Sequence, residues 1–179
     1  MLMATVAKHW TVDEVRALPD DGQRYEIVDG GLLVTPAPAW RHQDAAKHLF
    51  LRLHEYLATH RTGDAWFAPA DVQFSETTLV QPDLFVVPLV DGRRPRRFEE
   101  VGRLLLVVEI LSPGSARADR IVKRTLYQRE AVPEYWIVDV DARLIERWRP
   151  DDDRPEVLAE RLTWAPGGAA EPFRLDLPA

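Results

Sequence analysis

The strongest pattern in the chain is an apolar run that contains a single acid. Residues 104–111 read Leu-Leu-Leu-Val-Val-Glu-Ile-Leu, and Glu109 is the only polar member. A short, continuous apolar run of this kind predicts a strand buried on both faces of a sheet. A carboxylate in such a strand costs several kcal/mol unless a cation, hydrogen bonds or a proton compensates it. Glu109 is therefore the first residue whose presence needs an explanation.

Helical spacing predicts three further elements. A capping box at residues 11–14 begins a short helix that ends near Leu18. Apolar residues at intervals of three and four predict the longest helix over residues 40–61. A third helix is predicted over residues 116–130, with Ser115 as its N-cap.

The other apolar segments predict strands. Asp29-Gly30-Gly31 joins two strand-like runs, residues 24–28 and 32–35, and is typical of a hairpin turn. Further strands are predicted at 66–74, 80–89, 134–139, 143–148 and 157–164. The order of helices and strands predicts one α/β (α+β) domain over residues 1–179, with a central mixed sheet flanked by helices.

Composition narrows the classes of function. The chain has no cysteine, which excludes disulfides and thiolate metal sites. No apolar run approaches the roughly 20 residues of a membrane span, and residues 1–10 lack the features of a signal peptide, so we expect a cytoplasmic protein without a membrane partner. The net charge of −6 argues against strong non-specific binding of nucleic acid.

A local basic patch is still present in the sequence. The one dense cluster consists of Arg93, Arg94, Arg96 and Arg97, close to two glutamates. It has two interpretations: a contact with DNA phosphates, or an ordinary solvated loop.

A second carboxylate gives Glu109 a candidate partner. Asp83 follows Pro82 and precedes the apolar run 84–87. If the two strands are neighbours, Asp83 and Glu109 can converge on Mg²⁺ (or Mn²⁺), with the Ile110 carbonyl and waters completing the ligands. In the alternative, Asp83 caps a turn and Glu109 pairs with a buried arginine. The pattern alone gives the two interpretations similar weight.

The third predicted helix carries a polar stripe. Asp119, Lys123 and Tyr127 are spaced i, i+4 and i+8, so they share one face. Lys123, one of only three lysines, is expected near the border between core and solvent, from which it can reach inward. Spacing alone favours a plain surface pair between Asp119 and Lys123, worth about 0.3–0.5 kcal/mol.

In chain order these residues resemble the Uma-type (Uma-two) restriction endonuclease family of the PD-(D/E)XK nuclease superfamily. The similarity covers nearly the whole chain and rests on residues 25–31, 41–43, 82–83, 109–113, 119–123 and 132–139. The superfamily has a lysine two positions after the glutamate, where this chain has Leu111. The resemblance implies that Lys123 replaces that lysine, and that the fold is restriction-endonuclease-like.

The resemblance further implies a Mg²⁺-dependent DNA endonuclease, acting as a homodimer if it cuts both strands. In that reading Asp83, Glu109 and Ile110 hold the metal, and Lys123 orients water or stabilises negative charge. Glu26 would help to hold water or a second ion. Substrate binding is assigned to His42, to Tyr127 and to the arginines at 93, 94, 96 and 97.

Other interpretations remain open at this point. From the residues alone, Glu26 is a surface strand residue paired with Arg24, and His42 is structural or solvated. The protein as a whole can instead be a catalytically silent binding or regulatory protein with the nuclease fold, or a structural homodimer. Trp148 and Trp164, in the last predicted strands, are candidate dimer contacts.

Overall fold

The fold places a six-stranded mixed sheet beside a four-stranded antiparallel one. The computed structural model describes residues 8–100, 102–167 and 169–177. Its helices are α1 (Val12–Arg16), α2 (Trp40–His60) and α3 (Arg124–Arg129), the last preceded by a π-helical turn (Ala118–Lys123). Its strands are β1 (Arg24–Val28), β2 (Gly31–Thr35), β3 (Asp64–Phe67), β4 (Val72–Ser75), β5 (Thr78–Val80), β6 (Leu84–Val87), β7 (Leu106–Ile110), β8 (Tyr135–Asp139), β9 (Leu144–Trp148), β10 (Glu156–Leu158), β11 (Arg161–Trp164) and β12 (Phe173–Asp176).

The larger sheet has the order β10-β9-β8-β7-β6-β3, and the smaller one β2-β1-β5-β4. Strands β7 and β8 run parallel and are joined by the segment that contains α3, whereas β6 and β7 are antiparallel. A parallel pair needs such a crossover connection. The predicted mixed α/β layout is confirmed.

Strand β7 lies in the middle of the larger sheet and is buried along its whole length. Leu106 and Val108 face the core that α2 covers, and Val107 faces the core that contains Tyr127. Because side chains alternate along a strand, Glu109 shares the face of Val107. That alternation aims the carboxylate of Glu109 at α3 and the smaller sheet.

Several predicted elements are confirmed with small changes at their ends. The capping box of α1 forms between Thr11 and Glu14. The hairpin turn has positive φ at Asp29 (50°) and Gly30 (77°), as a tight turn between antiparallel strands requires. Helix α2 ends one residue early, with Arg61 in the left-handed conformation.

Other predicted elements are wrong in their continuity. The run 80–89 divides at Pro82 and Asp83, because β5 belongs to the smaller sheet and β6 to the larger. Proline has no N–H to donate within a sheet, so the chain changes sheets there. The runs 66–74 and 157–164 each contain two strands as well, and β12 was not predicted.

Ser115 has the predicted N-cap position, because the helical run begins at Ala116 and the Ser115 carbonyl accepts the amide of Asp119 at 2.9 Å. Its Oγ, however, accepts the amide of Ser112 (3.2 Å). The prediction about two tryptophans is wrong. Trp148 and Trp164 are 8% and 3% exposed and pack inside the protein, so neither is a dimer contact.

In the part of the chain that the structure describes, none of the helices has the length and apolar character of a membrane span.

Candidate active site

A buried lysine joins three acids at the carboxyl end of β7. Lys123 Nζ lies 2.8 Å from Glu26 Oε2, 2.9 Å from Glu109 Oε1 and 3.8 Å from Asp119 Oδ1. Lys123 is 3% exposed, so its predicted position at the border with solvent is wrong, and so is a surface pair with Asp119. Both side chains belong to the π-helical turn, a helix variant often found at functional sites.

Glu26 reaches this lysine from β1. Residues 24, 26 and 28 share one face of the strand, and the side chain of Glu26 is 1% exposed. Its Oε1 accepts the amide of Gln81 at 2.8 Å, while Oε2 faces Lys123. The interpretation of Glu26 as a surface residue paired with Arg24 is therefore wrong.

Charge crowding shifts the pKa values of these groups. Burial raises the pKa of Glu109, and the negative charges of Asp83, Asp119 and Glu26 raise it further. The ammonium of Lys123 opposes these effects, but the pKa of Glu109 still lies well above its usual value. Burial lowers the pKa of Lys123, but Glu109, Glu26 and Asp119 outweigh that effect and raise it. Lys123 is thus an ammonium whose charge compensates several carboxylates.

Asp83 lies in the same site but has different partners. Its Oδ1 accepts a hydrogen bond from Arg24 Nη1 at 2.9 Å, and its Oδ2 accepts the amide of Ile110 and faces His42 Nε2, each at 2.9 Å. Burial raises the pKa of Asp83, but the hydrogen bond and charge of His42, the charge of Arg24 and the Ile110 amide lower it to about 2. Asp83 is therefore an ionised carboxylate enclosed by donors.

His42 reaches Asp83 from the first turn of α2. Its side chain is 11% exposed, and its Nδ1 is buried without a hydrogen-bond partner among the described residues. Because ionised Asp83 can only accept, the Nε2 of His42 is the donor in their contact. The interpretation of His42 as a merely structural or solvated residue is therefore incomplete, because its ring contacts Asp83, an acid of the site.

Tyr127 is a core residue that contacts an acid of the site. It is fully buried, its ring lies 4.8 Å from that of Tyr135, and its hydroxyl donates to Glu109 Oε1 at 3.2 Å. A substrate cannot reach a side chain in that position, so the predicted substrate contact of Tyr127 is wrong. The hydroxyl helps to fix the orientation of the Glu109 carboxylate.

None of the four clustered arginines lines the acidic cleft, and the ion pair of Arg94 lies at the other end of β6. Arg94 pairs with Asp64 at 3.3 Å, and Asp64 is opposite Val87, the last residue of β6. Four residues of strand separate that end from Asp83, a distance of roughly 13 Å. Arg93, Arg94, Arg96 and Arg97 are therefore not brought into the acidic site.

The acids open into a cleft of about 290 Å³. Its walls come from the Thr35–Ala39 segment before α2 and the Ser112–Ser115 turn after β7. The ionisable side chains along it are Arg24, His42, Asp83, Glu109, Asp119 and Lys123, and Ile110 lies among them. Five of the site residues predicted from the sequence (His42, Asp83, Glu109, Ile110 and Lys123) thus meet in one cleft.

The donor set of this cleft suits a hard divalent cation. Three carboxylates of the cleft (Asp83, Glu109, Asp119) and the adjoining Glu26 face two permanent cations, Arg24 and Lys123. Asp119 Oδ1 is buried with no hydrogen-bond partner among the described residues. Oxygen ligands with excess negative charge are what Mg²⁺ and Mn²⁺ prefer. Across residues 8–100, 102–167 and 169–177, however, no three His, Asp or Glu side chains are grouped as metal ligands. The acids instead hold the protein's own cations.

Arg24 and Asp119 belong to the site but were not predicted for it from the sequence. Arg24 lies two residues before Glu26, so it is on the same face of β1. Asp119 lies one helical turn before Lys123, so it is on the same stripe. Both could have been predicted, because each is one structural repeat away from a residue already suspected: Arg24 from Glu26 on the strand and Asp119 from Lys123 on the helix.

Comparison with known proteins gives the family. The chain matches the Uma2 family, whose description is "putative restriction endonuclease", over residues 12–169. The chain belongs to the Uma2 family. A search of curated proteins gives no match.

The Uma2 fold is also seen in a crystal structure described as a "putative nuclease" from Anabaena variabilis. That structure is 22% identical in sequence and superimposes with a TM-score of 0.68, covering 84% of this chain and 85% of the other. At that identity the similarity concerns the fold. The family supports a nuclease-type protein with nucleic acid as its class of substrate.

Proposed function

We propose that this Uma2 protein is a Mg²⁺-dependent (or Mn²⁺-dependent) DNA endonuclease that hydrolyses phosphodiester bonds. The observation that carries the proposal is the sharing of one buried ammonium, that of Lys123, by Glu26 and Glu109 in the cleft that also contains Asp83. A surplus of buried acids at an open cleft is costly for stability alone. It becomes useful where a cation and a phosphate must be bound together.

Each residue of the site has a role in this proposal. Asp83 and Glu109, with the Ile110 carbonyl, would hold the metal ion. When bound, Mg²⁺ supplies Lewis-acid polarisation of a phosphoryl oxygen and activation of water. Lys123 would orient the attacking water or stabilise the negative charge that develops on the phosphate.

The surrounding residues would prepare the acids for that task. Glu26 and Asp119 hold the ammonium of Lys123 beside Glu109, and Tyr127 fixes the carboxylate of Glu109. His42 and Arg24 lie at the edge of the cleft, where they would contact the phosphate that replaces part of their interaction with Asp83. A homodimer and a cytoplasmic location belong to the same proposal.

The experiment is cleavage of plasmid and branched DNA by the purified protein in Mg²⁺, Mn²⁺ or EDTA. Metal-dependent cleavage is expected for the wild type and for Asp141→Asn, a change of a carboxylate that is 85% exposed. Asp83→Asn is expected to lower cleavage at least a hundredfold, because it removes a proposed ligand. Equal cleavage by Asp83→Asn and the wild type would overturn the proposal.

One observation favours a catalytically silent binding or regulatory protein as the second candidate. Asp83 already accepts hydrogen bonds from Arg24 and Ile110 and contacts His42, and Glu109 Oε1 accepts from Lys123 and Tyr127. If these contacts persist in solution, metal ions do not stabilise the protein. Absence of both a metal-induced rise in melting temperature and cleavage of any DNA form would support this candidate.

A further inference from the structure

A second pocket adjoins the acidic cleft. We call it the aromatic pocket; it has a volume of about 470 Å³, within the range of small-molecule sites. Arg24, His42 and Asp83 line both the aromatic pocket and the cleft, and so does the Pro36–Pro38 segment. One ligand can therefore extend from the acids into the aromatic pocket.

One wall of the aromatic pocket is a face of α2. Gln43, Ala46, Lys47 and Phe50 line it together with His42. Ala46 lies four residues after His42, Lys47 four after Gln43 and Phe50 three after Lys47, so these side chains are neighbours on one face of the helix. The side chain of Gln43 makes no hydrogen bond to any other described residue, although an amide can both donate and accept. The helix thus offers an amide, an ammonium and an aromatic ring in a row.

The aromatic character comes from two phenylalanines. Phe67, the last residue of β3, is 56% exposed, and its ring centroid lies 4.8 Å from that of Phe50 with an angle of 70° between the planes. Among the described residues, few large apolar side chains are as exposed as this one. An exposed ring at the edge of a concave pocket presents a face on which a flat ligand can stack.

We propose that the aromatic pocket holds an unpaired base of single-stranded DNA, stacked against Phe67, while the adjoining phosphate lies at the acidic cleft. The position of the phosphate rests on the proposed function. Recognition of unpaired bases by aromatic stacking is general for single strands, whereas a base inside a duplex cannot leave its stack without cost. Gln43 would bond to the base edge, and Lys47, whose ammonium pairs with the exposed Asp44 at 2.7 Å, would attract the next phosphate.

The experiment measures binding in EDTA, so it does not depend on cleavage. Fluorescence anisotropy measures the affinity of the protein for three DNAs: an eight-nucleotide oligothymidylate, an abasic strand with the same number of phosphates, and a blunt duplex. The wild type is expected to bind the oligothymidylate about tenfold more tightly than the abasic strand, since stacking on an aromatic side chain is worth about this much per base. The duplex is expected to bind no better than the abasic strand.

Variants of Phe67 test whether the base binds in the aromatic pocket. Phe67→Ala is expected to remove the preference for bases over the abasic strand, and Phe67→Trp to keep it. Leu51→Ala is the matched control, because Leu51 is similarly exposed (55%) on α2 but does not line the aromatic pocket. Urea unfolding of each variant checks that the fold is kept.

Two results would overturn the inference: equal binding of oligothymidylate and abasic strand by the wild type, or an unchanged preference in Phe67→Ala. A Phe67-dependent preference for oligouridylate over oligothymidylate would overturn its assignment to DNA. Failure of the proposed function is separate. A base preference lost in Phe67→Ala without any metal-dependent cleavage would refute the nuclease alone, and cleavage without base preference would refute the pocket alone.

Discussion

Lys123 Nζ lies 2.9 Å from Glu109 Oε1 in the interior of the protein, across 14 positions of sequence. The same ammonium contacts Glu26, so one cation compensates two fully buried acids. Removal of a single partner from such a buried group leaves uncompensated charge, which is far more costly than loss of a surface pair. This relationship makes the site sensitive to conservative substitutions.

Lys123→Met keeps the length of the side chain but removes its charge. The free energy of unfolding is expected to fall by about 3 kcal/mol, because Glu26 and Glu109 are left without their cation. Urea denaturation at neutral pH measures this change. Lys47→Met, at a side chain that is 58% exposed, is the control and is expected to lose under about 1 kcal/mol. Equal effects of the two substitutions would contradict the geometry.

Tyr127→Phe removes only the hydroxyl that donates to Glu109 Oε1. A loss of about 1–2 kcal/mol in the free energy of unfolding is expected, since the buried carboxylate loses a donor. Tyr25→Phe removes an exposed hydroxyl that donates to Asp21, and is expected to cost less than about 0.5 kcal/mol. If Tyr127 positions Glu109, DNA cleavage by Tyr127→Phe also decreases, with little change in the binding of oligothymidylate in EDTA.

In the absence of metal, Asp83 makes the free energy of unfolding depend on pH. Its pKa is lowered from 3.8 to about 2 in the folded state, so its contribution is complete above the unfolded pKa and is lost as pH falls through about 2. That shift corresponds to about 2 kcal/mol. The wild type in EDTA is therefore expected to lose that much more stability than Asp83→Asn between about pH 5 and pH 2. Parallel curves for the two proteins would refute the lowered pKa.

Divalent metal is expected to stabilise the folded protein. A ligand that binds only the folded state at a hundred times its Kd adds about 2.7 kcal/mol, which raises the melting temperature by several degrees. Mg²⁺ or Mn²⁺ is expected to do so in the wild type and in Glu99→Gln, an exposed acid outside the cleft. The rise is expected to disappear in Glu109→Gln and Asp83→Asn, as calorimetry in metal and in EDTA would show.

The arginine cluster is expected to affect affinity and not the chemical step. Arg93 and Arg96 make no ion pair with any other described residue, and neither lines the acidic cleft. The double variant Arg93→Gln/Arg96→Gln is expected to reduce the slope of log affinity against log salt by about 1.8, provided that each contacts one DNA phosphate. Cleavage at saturating DNA stays unchanged. An unaltered slope would favour the solvated-loop interpretation.

Much of the architecture follows from local pattern. The apolar run around Glu109, the Asp29-Gly30-Gly31 turn and the spacing of α2 each predict their element, because burial on one or both faces imposes a period of two or 3.6 residues. The places where the pattern fails are places where the chain changes sheets. Pro82 and Asp83 interrupt an apolar run that continues in sequence but not in space.

Local patterns in the sequence predict the strand that buries Glu109, the apolar run that Asp83 precedes, and the stripe that contains Lys123. They do not show that Lys123 is inside, that Glu26 and not Arg24 is its partner from β1, or that Arg24 and His42 enclose Asp83, because these contacts arise only when the chain packs. The groups concerned are far apart along the chain. Arg24 and Asp83 are 59 residues apart, and only the packing of one sheet against the other brings such groups within 3 Å.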